Sequence, residues 1–349
     1  MLHFKNHEQR TVSFHKKINC FIGNNGAGKT NLLDAIYYLC LTKSYFSATD
    51  VQNIFFGKDF FRLEGNLTTP QGAFHVVYKL LGGKKKELLV NDVSVPKLSA
   101  HIGHFPAVMI APDDNQLVLG SSEERRKFID ATISQVNIQY LEWLMAYNKY
   151  LAQRNAALKE FAEKKRTDKV LLESYNAQLS ILGSKIYEAR QTVIEQLQPI
   201  FNYFYSELSL EREKVSFGYL SQLSEKPLDI LLEENLQKDL ILQRTECGIH
   251  RDDLDFFIGT NKLKRFGSQG QQKSFIISLK LAQHQFISKA KGFHPLLLID
   301  DIFDKLDNDR SRQLLNIVCS ENFGQVFITD TDEQHILSEL GNEAEIFSM

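Results

Sequence analysis

The stretch Gly23-Asn24-Asn25-Gly26-Ala27-Gly28-Lys29-Thr30 fits the phosphate-loop pattern G-x-x-x-x-G-K-[ST] at every fixed position. A chance match in a chain of 349 residues has odds of about one in a hundred. The apolar run Ile18–Ile22 before the loop predicts a strand, and Asn31–Leu41 after it predicts a helix with one apolar side. A strand, a glycine-rich turn and a helix start in this order predict an α/β lobe that holds a nucleoside triphosphate.

The loop residues have separate expected roles. The glycines allow backbone N–H groups to close around phosphate oxygens, and the following helix start adds a favourable dipole. We expect Lys29 to contact the β- and γ-phosphates and Thr30 to be a ligand of Mg²⁺, so that ATP and Mg²⁺ are the predicted cofactors. The residues assigned to nucleotide binding in this loop are Gly23, Asn24, Asn25, Gly26, Ala27, Gly28, Lys29 and Thr30.

Two adjacent acids follow another apolar strand pattern, Leu296–Ile299. Like charges this close repel each other, so a nearby cation is expected. The first acid, Asp300, is predicted to hold Mg²⁺ directly or through water, and the second, Asp301, to orient or activate the attacking water as the catalytic residue. Alone this pattern is equally typical of a structural strand end, and its weight comes from the loop at Gly23–Thr30.

A second anion-binding pattern precedes the predicted helix Gln271–Ala290. Ser268 and Gly270 stand at its start, where backbone N–H groups have no partner within the helix. The simpler interpretation is an ordinary helix cap. Because the loop at Gly23–Thr30 already holds the phosphates of one nucleotide, a second anion site suggests contact with a nucleotide held by another chain.

The order of strand and helix patterns predicts three segments. Residues 1–115 and 244–349 alternate between strands and helices, as expected for two parts of one α/β lobe with a mostly parallel sheet. Residues 116–243 read as an inserted helical lobe containing an antiparallel arm of two helices, each of about 25 residues, with Pro199 ending or kinking the second.

Bulk properties restrict the function classes. The formal net charge is −2, so any nucleic-acid site must be a local patch. No run approaches the roughly 18 apolar residues of a membrane helix, and the N-terminal residues lack a targeting pattern. The four cysteines form no C-x-x-C pair. We therefore expect a cytoplasmic protein without a disulfide framework.

The three motifs together resemble the ABC-type ATPases, in which S-x-G-Q is the signature, and more closely the RecF family. The resemblance covers nearly the whole chain, and it rests on GNNGAGKTNLLDA at Gly23–Ala35, GSSEERRKFID at Gly120–Asp130, GIHRDD at Gly248–Asp253, FGSQGQQK at Phe266–Lys273 and DIFDKLD at Asp301–Asp307. Thr329-Asp330 stands where many ABC ATPases carry a switch histidine, so that role is unassigned from the sequence. The chain also carries fewer residues before His3-Phe4-Lys5-Asn6 than RecF proteins do, and we expect either an incomplete first strand or a misassigned start site.

The resemblance implies an α/β ATPase head that forms a homodimer around two ATP molecules. Ser268, Gly270 and Gln271 of one copy would bind the nucleotide held by the other. It further implies slow, DNA-stimulated ATP hydrolysis, action at single-stranded or gapped DNA, work with the mediator proteins RecO and RecR in loading recombinase, and support of the SOS response and replication.

Several assignments remain open from the sequence. A transporter ATPase subunit predicts a shorter insertion, an SMC-like tether predicts a longer arm, and a P-loop kinase leaves the segment at Ser268 unexplained. The candidate DNA contacts are the basic runs at Lys84–Lys86 and Lys164–Arg166, which are also typical of solvated surface. Less specific candidates are Gln116 as a metal-sensing glutamine, Arg125 and Arg126 as phosphate contacts or lobe staples, and His250, Arg251, Asp252 and Asp253 as lobe-coupling residues.

Overall fold

A computed structural model describes residues 1–82, 85–210, 213–301, 307–320, 322–331, 340 and 343–349. The strands are β1 (Leu2–Phe4), β2 (His7–Gln9), β3 (Ile18–Ile22), β4 (Phe61–Thr69), β5 (Gly72–Leu81), β6 (Lys85–Val90), β7 (Val93–Ser94), β8 (Ala107–Ile110), β9 (Val215–Leu220), β10 (Asp253–Ile258), β11 (Asn261–Lys262), β12 (Leu296–Asp300), β13 (Val326–Asp330) and β14 (Ala344–Ser348). The α-helices are α1 (Lys29–Leu41), α2 (Gln116–Leu119), α3 (Ser122–Val136), α4 (Ile138–Lys164), α5 (Lys169–Ser209), α6 (Leu228–Glu234), α7 (Leu236–Leu242), α8 (Leu263–Phe266), α9 (Gln269–Lys291) and α10 (Asn308–Cys319).

The chain forms two compact units. The α/β unit comprises Met1–Asn115, Ile200–Glu213 and Ser268–Met349, and the inserted unit comprises Gln116–Pro199 and Lys214–Gly267.

The sequence predicts that the α/β lobe resumes at residue 244. In the structure, the α/β unit resumes at residue 268. Strand β9 of the inserted unit was not identified from the sequence. It pairs antiparallel with β10 from Val215 opposite Ile258 to Leu220 opposite Asp253, and this pairing keeps residues 244–267 in the inserted unit.

The α/β unit contains a five-stranded parallel sheet in the order β14-β3-β13-β12-β8. Strands β3 and β13 are buried along their whole length, as apolar strands covered on both faces must be. Because parallel strands end at the same edge, the segments that follow β3, β12 and β13 meet there. This edge carries the candidate site.

Helix α1 packs between that sheet and a second sheet, which is antiparallel and has the order β2-β1-β4-β5-β6-β7. Nearly all of its side chains are buried, including Leu33 and Tyr38. One apolar core joins the helix to both sheets, with members Phe21, Leu298 and Phe327 from the parallel sheet and Phe61, Tyr78 and Leu88 from the antiparallel sheet. The helix that follows the loop is therefore fixed from both sides.

The predicted pair of long helices is present, but the second is longer than expected. Helix α4 has 27 residues and α5 has 41, so α5 continues through Pro199 to Ser209. Proline removes one backbone hydrogen bond and clashes with the preceding turn. Leu197 and Phe201 on either side are fully buried, and their packing offsets that cost. Tertiary contacts thus override the local helix-breaking signal.

Candidate nucleotide site

The phosphate loop lies between β3 and α1, as the sequence predicts. Gly26 and Gly28 adopt φ angles of 84° and 100°, a left-handed backbone that glycine adopts without steric cost. Gly28 is the residue before the first turn of α1, so the N–H groups at the start of the helix are directed into the loop. The loop is held as a concave backbone surface with positive partial charge, which suits phosphate oxygens.

A turn between β1 and β2 packs against this loop, and sequence reasoning missed it. His7 Nε2 lies 3.1 Å from the Gly28 carbonyl oxygen, and Asn6 Nδ2 donates to the Gly26 carbonyl oxygen at 3.3 Å. A Cβ atom on Gly28 would lie 2.7 Å from the His7 ring, so glycine is required there for a second reason. Asn6 also accepts a hydrogen bond from Asn31 at 2.7 Å, which connects the turn to α1.

Lys29 is buried, with 6% of its surface exposed. Its ammonium donates to the carbonyl oxygens of Gly23 at 2.6 Å and Asn24 at 3.1 Å. These are neutral acceptors, which compensate a buried charge less well than an anion does. The Lys29 ammonium is thus positioned to exchange carbonyl oxygens for phosphate oxygens.

The structure brings Thr30 and Asp300 together. Thr30 Oγ1 donates to the Asp300 carboxylate at 2.8 Å and 3.0 Å from its two oxygens. Two neighbouring ligands of an octahedral Mg²⁺ with bonds of about 2.1 Å lie about 3 Å apart, so this pair of oxygens fits the predicted metal. No group of three or more His, Cys, Asp and Glu side chains that could hold a metal occurs in the described ranges. A bound Mg²⁺ would therefore complete its shell from nucleotide and water.

The Asp300 carboxyl is almost completely buried at the end of β12. Burial raises its pKa above the ordinary value, and hydrogen bonds from the hydroxyls of Thr30 and Thr329 act in the opposite direction. A divalent cation beside Asp300 would favour the carboxylate and offset this burial cost. The electrostatics of Asp300 therefore also fit a metal ligand.

Asp301 follows directly and has a φ angle of 43°, which is unusual for a residue with a side chain. Its backbone N–H donates to Thr329 Oγ1 at 3.0 Å. The segment 302–306 that follows it lies outside the described residues, so the middle of the predicted DIFDKLD motif is not described. The last residue of that motif, Asp307, caps α10, because its side chain accepts a hydrogen bond from the Arg310 N–H at 2.9 Å.

Ser268 caps α9, and the sequence assigned this start two residues too late. Its hydroxyl accepts from the Gln271 N–H at 3.2 Å, while the Gln271 side chain accepts from the Ser268 N–H at 2.6 Å. The Gln271 amide also donates to Glu213 at 2.7 Å. Within the described ranges, no hydrogen bond or ion pair joins Ser268, Gly270 or Gln271 to the phosphate loop. The two predicted anion-binding elements of one chain are therefore not joined to each other by a described hydrogen bond or ion pair.

Arg310 lies beside the signature segment and was not identified from the sequence. A Cβ atom on Gly270 would lie 2.9 Å from Arg310 Nη1, and the same nitrogen donates to Ser274 Oγ at 3.0 Å. Arg310 and Ser274 are far apart in sequence, and no local pattern indicates their contact. The guanidinium adds a positive charge close to the start of α9.

The remaining candidates of the middle segment lie inside the inserted unit. Arg125 forms an ion pair with Asp253 at 2.6 Å, and Arg126 donates to the Asp252 carbonyl oxygen at 2.7 Å. His250 Nδ1 lies 3.0 Å from the Tyr147 hydroxyl. These contacts account for the charged residues as structural partners within this unit. The other positions are Gln116, which begins α2, and Arg251, which pairs with Glu246.

The two basic runs are only partly available for DNA. Lys84 lies outside the described residues, Lys85 pairs with Glu87 and Lys86 pairs with Asp50. At the arm tip, Lys164 pairs with Glu160 of the preceding turn. In the part of the chain that the structure describes, no helix is long and apolar enough to cross a membrane.

Comparison with known proteins agrees with this arrangement. Residues 1–347 match the family model described as RecF/RecN/SMC N terminal domain. The DNA replication and repair protein RecF of Flavobacterium johnsoniae is 47% identical over 95% of this chain and 92% of its own, and that of Bacteroides thetaiotaomicron is 40% identical over 99% and 94%.

Solved structures give the same result. One described as the recombination mediator protein RecF with ATP in the RecFOR pathway has a TM-score of 0.89 and 28% identity, covering 99% of this chain and 93% of that one. The Smc head domain of Pyrococcus furiosus, with a TM-score of 0.57 and 16% identity over 99% of this chain and 91% of that one, shares the fold. The phosphate loop, the two acids at the end of β12 and the capped signature helix thus stand on a RecF/SMC ATPase head, and the chain belongs to the RecF family.

Proposed function

We propose that this chain is an ATP-dependent DNA-binding protein of recombinational repair and replication. In this proposal ATP closes a homodimer on single-stranded or gapped DNA, where the protein works with RecO- and RecR-type mediator proteins to load recombinase, and it supports the SOS response. It acts in the cytoplasm. The relatives named DNA replication and repair protein RecF, and the RecF structure with ATP in the RecFOR pathway, support this assignment.

The observation that carries the proposal is the separation of two anion-binding elements in one chain. The loop with Lys29 and Thr30 suits the phosphates and, with Asp300, a metal ion. Among the described residues, no hydrogen bond or ion pair joins the capped start of α9 at Ser268 to that loop. A dimer in which each copy supplies one element to each nucleotide uses both.

In the proposed mechanism, Lys29 exchanges its carbonyl partners for phosphate oxygens, and the Thr30 hydroxyl and the Asp300 carboxylate would hold Mg²⁺. Mg²⁺, when bound, would neutralise phosphate charge and orient the triphosphate. Asp301 orients the attacking water and accepts its proton. Ser268 and Gly270 of the partner copy bind the γ-phosphate, and loss of this phosphate on hydrolysis removes the bridge and opens the dimer.

The proposal leaves DNA as cargo and not as a chemical substrate. None of the motifs suggests that bases are read, so DNA contacts are directed to the phosphate backbone. Such binding weakens steeply with salt, with a slope that reports the number of phosphates neutralised.

The test is binding of the full chain to gapped and to fully duplex DNA of equal length, with ATP, with ADP and without nucleotide, across a salt series. We expect ATP to strengthen binding to gapped DNA by at least about ten-fold and light scattering to show a dimer with ATP only. Equal affinity in all three nucleotide states would contradict the ATP-gated proposal. Equal affinity for both DNAs would contradict the preference for gaps.

A further inference from the structure

Thr329 stands at the centre of the predicted catalytic edge, although no motif assigned a role to it. It lies opposite Asp300 in the parallel pairing of β12 with β13, and opposite Phe21 in the pairing of β13 with β3. Its side chain is completely buried. The residue therefore sits between the strand that carries the acids and the strand that leads into the phosphate loop.

The Thr329 hydroxyl joins the two acids to each other. It donates to Asp300 Oδ1 at 2.8 Å and accepts from the backbone N–H of Asp301 at 3.0 Å. A hydroxyl has one proton to donate, so the direction of both bonds follows: the carboxylate can only accept, and the N–H can only donate. One side chain thus contacts the Asp300 carboxylate and the Asp301 backbone together.

Both groups that bond to Thr329 need this support. Asp300 is buried, and a buried carboxylate oxygen that loses its hydrogen bond is destabilised because water cannot replace the lost donor. Asp301 has a φ angle of 43°, a backbone conformation that is held only when its surroundings stabilise it. The bond from its N–H to Thr329 is a tertiary contact that does so.

Thr30 has a different predicted role. Its hydroxyl also bonds to Asp300, but it belongs to the phosphate loop and would itself coordinate a bound Mg²⁺. Thr329 lies on a strand and has no such duty. Its bond to Asp300 can persist through the whole nucleotide cycle.

We propose that Thr329 is a positioning residue for ATP hydrolysis, which holds the metal-binding carboxylate of Asp300 and the backbone of the water-orienting Asp301 in fixed relation. The inference rests on the proposed ATPase function and deepens it. Thr329 stands at the strand end where many ABC ATPases carry a switch histidine. Its proposed role is to position Asp300 and Asp301, not to contact the phosphates.

The test compares Thr329→Val, which removes the hydroxyl at nearly constant shape, with Thr329→Ser, which keeps it. Thr132→Val is the matched control, because Thr132 is fully buried in the inserted unit and its hydroxyl bonds to the Phe128 carbonyl oxygen. Affinity for a fluorescent ATP analogue is measured in EDTA and in Mg²⁺. Single-turnover ATP hydrolysis is then measured well below the thermal midpoint of every variant.

We expect Thr329→Val to bind the analogue in EDTA within about two-fold of the unsubstituted chain. It should lose most of the Mg²⁺-dependent gain in affinity and hydrolyse ATP at least about ten-fold more slowly. Thr329→Ser should stay within about three-fold on both measures, and Thr132→Val should match the unsubstituted chain. If valine prevents folding, Thr329→Ala replaces it with the same expectations.

Two results would overturn the inference: unchanged Mg²⁺ dependence and rate in Thr329→Val, or equal loss in Thr329→Ser, which would indicate shape and not the hydroxyl. Failure of the proposed function looks different. In that case the unsubstituted chain itself fails to hydrolyse ATP above the level of Lys29→Ala, and this inference falls with the hydrolysis step on which it rests.

Discussion

At the scale of single residues, the site depends on polar groups buried at the end of a parallel sheet. Lys29, Asp300 and Thr329 are each less than a tenth exposed, and each uses its polar atoms in short hydrogen bonds. Buried polar groups are costly when a partner is lost. Substitutions here should therefore affect nucleotide handling in ways that separate binding from hydrolysis.

Lys29→Ala removes the one side-chain cation that lies inside the phosphate loop. Backbone N–H groups remain, but without the ammonium the triphosphate charge is compensated less, so ATP affinity should fall by at least about a hundred-fold. Equilibrium binding of a fluorescent ATP analogue measures this loss. Lys85→Ala on strand β6 is the control, since that lysine is exposed and pairs with Glu87. Unaltered affinity in Lys29→Ala would refute the loop assignment.

Asp301→Asn preserves shape while removing the predicted water-orienting charge. We expect ATP affinity within about three-fold of the unsubstituted chain, a hydrolysis rate lower by about a hundred-fold, and a dimer that persists longer after ATP addition. Single-turnover hydrolysis and time-resolved light scattering provide the measurements. A variant that hydrolyses as fast as the unsubstituted chain would show that another group orients the water.

The buried imidazole of His250 should make the stability of the protein depend on pH. Burial lowers the pKa of this imidazole to about 4, and the neutral ring satisfies both nitrogens, with Nε2 3.0 Å from the Thr245 carbonyl oxygen and Nδ1 3.0 Å from the Tyr147 hydroxyl. Between the ordinary value of about 6.5 and this lowered value, the unfolded chain binds more protons than the folded chain. Its contribution to stability is complete above about pH 6.5 and is lost as pH falls toward 4.

The check is the urea midpoint at pH 7 and pH 5 for the unsubstituted chain and for His250→Gln. The difference between the two pH values should be smaller in His250→Gln. His15→Gln, at an exposed position, should keep the difference seen in the unsubstituted chain. An identical pH dependence in all three proteins would rule out His250 as a source of acid sensitivity.

At the scale of elements, the inserted unit is held together by buried ion pairs as well as by apolar packing. Arg154 on α4 donates to Asn176 on α5 and to Asp239 on α7, and Arg154 and Asp239 have fully buried side chains. Arg190 on α5 similarly pairs with Asp130 and Asp252. Arg154 is thus a structural connection among three helices.

Asp239→Ala should destabilise the protein by about 3–5 kcal/mol, because it leaves a buried guanidinium without its counter-charge. Glu234→Ala is the matched control: its pair with Lys226 is half exposed, and such pairs contribute about 0–1 kcal/mol. Urea unfolding of both variants measures the difference. The double variant Arg154→Met/Asp239→Leu should recover much of the lost stability. Equal loss of stability in the single and double variants would show that the unpaired Arg154 charge is not its cause.

At the scale of the whole molecule, the proposed function requires two copies. Ser268→Arg places a large cation at the start of α9, where the proposed dimer seats the phosphate of the partner's nucleotide. ATP binding to one copy should stay within about three-fold, while ATP-dependent dimers should be lost through steric clash. Light scattering with ATP gives the readout. Ala290→Arg, at an exposed position near the C-terminal end of the same helix, is the control, and dimers in Ser268→Arg would contradict the shared site.

Local chemistry was sufficient to predict the phosphate loop, the two acids and the capped helix at Ser268. Each depends on neighbouring residues, since a left-handed glycine, an apolar strand with acids after it and a serine cap act over a few positions. The same patterns indicated the strands and helices around them. The family assignment followed from these motifs in order and is confirmed by the relatives.

Only the tertiary structure decided what lies beside these motifs. The His7 turn on the loop, Arg310 beside Gly270 and Thr329 between the two acids are each brought in from distant positions by strand pairing or helix packing. Likewise, α5 passes through Pro199 because buried neighbours stabilise it. Local patterns reflect interactions among a few adjacent residues. The contacts named above depend on which sheet edges and helix faces meet, and this is decided only when the chain folds.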